Sequence, residues 1–129
     1  MFLLSLCLAV QLAADVNKTL YVMSPGASGE KVLLKSIVFV PDSDGAVSIS
    51  GTNYITVTAK QGSTSLGSFN TFTGGTALVA GTAVTFSLSG GVALEFDALT
   101  DLLTIDSVKT GTGAVLKGTF LAVFELIHA

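Results

Sequence analysis

Along most of this chain apolar and polar residues alternate with a period of two, the repeat of a strand with one face in a core and one in water. In YITVTA, Ile55, Val57 and Ala59 fall on one face and Tyr54, Thr56 and Thr58 on the other. AVTFSL repeats the arrangement, with Val84, Phe86 and Leu88 predicted inward and Thr85 and Ser87 outward. The pattern predicts strands over 1–13, 20–23, 32–40, 46–49, 54–59, 65–69, 83–88, 92–96, 102–108 and 114–127. Between them stand SPGASG, PDSDG, SGTN, KQGS, TGGT, AGT, SGG and KTGTG, rich in the residues that tight reversals need. Only DALTDLL has the composition of a helical turn. Short strands at near-regular spacing with no intervening helices predict an all-β fold, an antiparallel sandwich or jelly roll, formed by a single domain.

Two segments break the one-face rule. In KVLLKSIVFV the even positions Val32, Leu34, Val38 and Val40 make an apolar face, and Ile37 and Phe39 make the opposite face apolar as well. FLAVFELI (120–127) has the same double character. Such a strand either has a layer on both sides or packs against another chain, and a two-layer sandwich of 129 residues has no third layer. The expectation is therefore that Ile37, Phe39, Phe120 and Phe124 belong to a subunit or partner surface, with plain core as the other reading of Phe124.

The segment MFLLSLCLAVQLAAD has the length of a secretory leader, but no basic residue precedes its apolar run. Its period is that of a strand, with a short helix as the alternative: Phe2, Leu4, Leu6, Leu8, Val10 and Leu12 alternate with small or polar Ser5, Cys7, Ala9, Gln11 and Ala13, and Leu3 is the exception. Phe2, Leu4, Leu6 and Leu8 are the expected interface positions of this strand or arm. No apolar run reaches the ~18 to 20 residues of a membrane helix. An outer-membrane barrel is disfavoured by the absence of Trp and by only two tyrosines for an interfacial girdle.

Composition sharpens the question of what covers the apolar surface. Half of the residues are hydrophobic and 12% are charged, about half the usual share. Net charge is −3, and the six lysines, with no arginine, are scattered, so no basic patch suits nucleic acid. A single cysteine, Cys7, and a single histidine, His128, are too few for a Cys/His metal site or a well-supported Ser-His-Asp relay. Asp42, Asp44 and Gly45 echo a calcium loop, but Ala46, Ser48 and Ser50 replace the further ligands, and a solvated turn is the plainer reading. KTGTG (109–113) lacks the GK[ST] signature and is expected to be a hairpin turn rather than a phosphate cradle. Asn17-Lys18-Thr19 forms a sequon that matters only in a glycosylating compartment. Glu95, Asp97, Asp101 and Asp106 cluster in sequence and are expected to be surface acids. No enzyme chemistry, cofactor or metal is predicted.

LYVMSPGASGEKVLLKSIVFV, followed by a polar turn and AVSIS, resembles the opening of small β-sandwich proteins from tailed-phage virions, in which a strand, a Pro-Gly turn and a second apolar strand lead into a short one. The resemblance covers about a third of the chain. Together with low charge and abundant Gly, Ser and Thr, it is similar to capsid decoration (cement) proteins. It implies a structural, non-enzymatic bacteriophage protein, made in the host cytoplasm, that sits on the capsid as a homo-oligomer, a homotrimer by preference. Its partner would be the major capsid protein. A tail or fibre module and a glycan-binding sandwich are the alternatives, the latter without the Trp platforms such sites favour.

Overall fold

The computed structural model describes residues 3–11, 18–23, 30–89, 91–97, 101–112 and 114–128, and for 3–11, 18–23, 92 and 128 the backbone path only. Among the described residues nine strands follow one another: β1 (Leu3–Gln11), β2 (Lys18–Met23), β3 (Lys31–Pro41), β4 (Tyr54–Gln61), β5 (Thr64–Asn70), β6 (Val84–Thr85), β7 (Glu95–Asp97), β8 (Leu103–Thr110) and β9 (Lys117–His128). They form two antiparallel sheets packed as a sandwich. The front sheet runs β1-β9-β3, with β6 and β7 pairing in turn along the far side of β3, and the back sheet runs β2-β8-β4-β5. The pairs nest: β4 with β5, β3 with β6 and β7, β2 with β8, β1 with β9.

Period-two alternation places the core as the sequence predicts for the plain strands. Ile55, Val57 and Ala59 of β4 are buried, as are Val84 and Phe86, with Leu88 packed against the same cluster. Aromatic rings bridge the sheets. Phe39 lies 4.7 Å from Phe120 and 6.0 Å from Phe69, and Phe69 meets Phe86 edge-on at 5.2 Å. A second pair, Phe96 and Phe124, meets edge-on at 5.5 Å. Thr71 is the main polar group inside: its Oγ1 accepts from Ile55 N at 3.0 Å, and its own N donates to Ile55 O at 3.0 Å. Among the described residues no buried side-chain nitrogen or oxygen lacks a hydrogen-bond partner, as a low-dielectric interior demands. Gly118 of β9 makes room for the Phe39 ring, because a Cβ there would collide with Val40 O and crowd Phe39 Cζ at 2.7 Å.

The doubly apolar β3 has a local explanation. Its register with β9 shifts between Leu34, opposite Phe124, and Ser36, opposite Val123, so Lys35 is an extra residue with no partner. This β-bulge moves the inward set from even to odd positions. Val32 and Leu34 before it, and Ile37 and Phe39 after it, share one core-facing side. Strict alternation had divided these four between two faces.

Four other expectations change. The strand expected over 46–49 shrinks to one bridge, Val47 to Leu78, since Val47 alone turns into the core while Ser48 and Ile49 face water. The strand over 83–88 keeps two residues, although Phe86 N still donates to Ile37 O at 3.0 Å. Gly91, at φ 54°, opens a 3₁₀ turn over Gly91–Leu94, and the expected strand there starts only at Glu95. The 109–113 segment is no hairpin turn: β8 and β9 lie in different sheets, and the chain crosses between them by burying Ala114 and Leu116. In DALTDLL, Asp101 N donates to Asp97 O at 3.0 Å, closing one turn, while 98–100 lie outside the described residues.

Candidate interaction surface

A sandwich turns one face of each sheet outward. On the front sheet that face is made by Leu33, Ser36, Val38 and Val40 of β3 and by Thr119, Leu121, Val123 and Glu125 of β9, all half-buried by their neighbours. Register sets them in rows. Val38 stands opposite Leu121, Ser36 opposite Val123, Val40 opposite Thr119, and Leu33 opposite Glu125. On the other side of β9 the rows continue at backbone level to Cys7, Ser5, Ala9 and Leu3 of β1. The middle of the face is aliphatic, with hydroxyls and Glu125 beside it. An apolar centre within a polar rim is the usual anatomy of a protein contact.

The expected interface residues divide. Ile37, Phe39, Phe120 and Phe124 are at most 1% exposed and lie in the chain's own core, which corrects their assignment to a partner surface. The physical reason is phase: the bulge at Lys35 turns Ile37 and Phe39 inward, and alternation in β9 sends the phenylalanines in and Leu121 and Val123 out. Leu4, Leu6 and Leu8 hold register positions opposite Phe124, Ala122 and Phe120, the core-facing positions of β9. Phe2 lies outside the described residues. The residues that sequence reasoning missed are Leu33, Leu121 and Val123, while it set Val38 and Val40 on a face with the core residues Val32 and Leu34. The usable signal was ring size: in a strand apolar on both faces, the phase carrying the phenylalanines is the one that fills the core.

The loop chemistry is structural. In PDSDG, Gly45 N donates to Asp42 O at 2.9 Å and Asp42 N donates to Lys117 O at 3.1 Å, while Asp44 Oδ2 takes the Lys117 ammonium at 2.5 Å. That hydrogen bond holds Asp44 below the ordinary carboxylate range and Lys117 above its own. Gly45 is required, since a Cβ there would strike Lys117 O. Asp106 pairs with Lys60 at 2.8 Å on the outer face of the back sheet, and Asp101 Oδ2 accepts from Asp97 N at 2.8 Å. Among the described residues no group of three or more His, Cys, Asp or Glu gathers as a metal site would need. At one end of the sandwich an open hollow of about 250 Å³ is lined by Val47, Ser50, Asn53 and Thr112, with Asn53 Oδ1 accepting from Thr112 N at 2.8 Å.

No family model matches the chain, and neither a curated protein nor a solved structure matches it.

Proposed function

We propose that this chain is a structural virion protein of the capsid decoration type, a homo-oligomer that binds the major capsid protein on the outside of the shell and stabilises it. The observation that carries the reading is the outward face of the front sheet, where Leu33, Val38, Val40, Leu121 and Val123 occupy positions that an antiparallel sheet facing water gives to polar residues. A contiguous apolar face of this kind marks a contact with another protein. The nested strand pairs, β1 with β9 outermost and β4 with β5 innermost, support the jelly-roll form, an architecture that recurs in capsid and lectin domains. With no arginine for bidentate pairing, attachment rests on shape and apolar contact rather than on ion pairs.

The test is saturable binding of the purified chain to assembled tailed-phage heads, measured as particle occupancy at low and high salt. Occupancy that survives high salt, together with raised particle stability, supports the reading. A chain that never binds heads but co-purifies with tails would move it to a tail or fibre module. A second reading, glycan binding, draws on Phe72, which is 42% exposed and meets Tyr54 edge-on at 4.8 Å. A sugar array read with the native chain and with Phe72→Ala separates it.

A further inference from the structure

The margins of the two sheets are unequal. β3 is bordered on its far side by strands of two and three residues, the latter bearing Glu95 and Asp97. β2 opens on Lys18 and carries a bulge between Thr19 and Tyr21. β5 has the 87–89 segment against it, with Ser89 N donating to Leu66 O at 2.8 Å. Short edges, charges, bulges and covering loops are the devices that keep sheet margins from pairing with other chains. Among the described residues β1 has none of them. It is nine residues long, LLSLCLAVQ, without charge, proline or glycine, in unbroken register with β9 from Leu3 opposite Glu125 to Gln11 opposite Lys117. Among the described residues no strand pairs with its other edge.

We propose that this edge joins two copies of the chain, β1 pairing antiparallel with β1 of a second copy around Cys7, so that the front sheet runs on through both. Three features select a second copy. Opposed residues in an antiparallel pair point to the same side of the sheet, so a two-fold seam must set like phase against like, with one residue facing itself. Of the registers that satisfy this, only the one centred on Cys7, the midpoint of 3–11, pairs all nine residues. It sets Leu4 against Val10, Leu6 against Leu8 and Ser5 against Ala9, and opposes no like charges because β1 has none. The row Val38–Leu121–Cys7 then continues across the seam, joining the aliphatic faces of the two copies. The seam is independent of whether the assembled protein decorates a capsid.

Cys7 provides the test because it is the only cysteine. Directly opposed antiparallel residues have Cα atoms ~4.5 to 5.5 Å apart, within the ~4.4 to 6.8 Å that a disulfide spans. Light scattering of the full reduced chain is expected to give twice the 13.1 kDa chain mass, and mild oxidation is expected to convert it to a covalent dimer. Cys7→Ser with Ser5→Cys is expected not to link, since position 5 faces position 9. Cys7→Lys, which opposes two ammonium groups, is expected to run at the mass of one chain, and an equimolar mixture of Cys7→Lys and Cys7→Glu to restore the dimer. The mixture separates a broken seam from a misfolded variant. A monomeric native chain, or an assembly of any size in which Cys7 fails to link and Cys7→Lys stays assembled, overturns the proposal.

Discussion

The outer faces of the two sheets are built on the same pleat and filled with different chemistry. On the back sheet, β4 and β8 turn out Tyr54, Thr56, Thr58, Lys60, Thr104, Asp106 and the exposed Val108, with Lys60 and Asp106 paired. On the front sheet the equivalent positions hold Leu33, Val38, Val40, Leu121 and Val123, with Ser36, Thr119 and Glu125 beside them. Since both sheets are antiparallel and each packs its inner face on one core, sandwich architecture does not account for the difference. The back face is mainly polar, with Val108 the exception, and the front face is mainly aliphatic.

The largest way to break this comparison is to move residues between faces. Deleting Val38 would carry Phe39 outward and Val40 inward, and the deletion variant is expected to lose its cooperative melting transition. Deleting Lys35 should do far less, because it removes the unpartnered residue and leaves Val32, Leu34, Ile37 and Phe39 on the core side. Circular dichroism melts of the two deletions check this. Next come neighbours on β9. Phe120→Ala is expected to cost about 3 to 5 kcal/mol in denaturant unfolding, whereas Leu121→Ala, on the outward face, should cost about 1 kcal/mol or less.

The faces themselves are compared by placing one charge on each. Leu121→Lys is expected to lower particle occupancy at least tenfold with the fold kept, and Thr58→Lys to leave it unchanged. Equal loss from both would remove the distinction. The smallest effect concerns the exposed Asp44–Lys117 pair. The depressed Asp44 value contributes stability that is present above the ordinary carboxylate value of about 4 and is lost as pH falls through the folded value. The raised Lys117 value contributes stability that is present below about pH 10 and is lost as pH rises through its folded value. The melting difference between the native chain and Asp44→Asn should therefore be slight, flat from about pH 5 to 9, and vanish in stronger acid.

The strands that alternate cleanly were legible in the sequence because one rule decides them: burial of one side of a pleat. β4, the Leu103–Ile105 part of β8 and the inward phase of Val84 and Phe86 follow it, whereas β5 buries both Leu66 and Phe69 across a register shift and β8 buries Ser107 while Val108 faces out. What was not legible depends on register. Nothing local in LLKSIV says that Lys35 will stand unpaired, because the bulge exists only relative to Phe124 and Val123, almost ninety positions later. The candidate surface inherited that error, so Ile37 and Phe39 were expected outside. KTGTG looked like a hairpin for a similar reason: turn residues report that the chain reverses, not which sheet it enters.

The order of strands in the sheets also sets an order in time. β8 and β9 follow the other described strands in the sequence, yet each is central, lying between β2 and β4 and between β1 and β3. During synthesis β1 and β2 therefore have no sheet partner until about a hundred further residues have emerged, and closing such distant contacts is slow. A copy cut short before β9 keeps no strand to hold β1, and its front sheet falls into separate pieces. Translation must thus reach β9 before either this fold or the β1 edge exists, so chains that stop short of β9 are excluded from any assembly built on that edge.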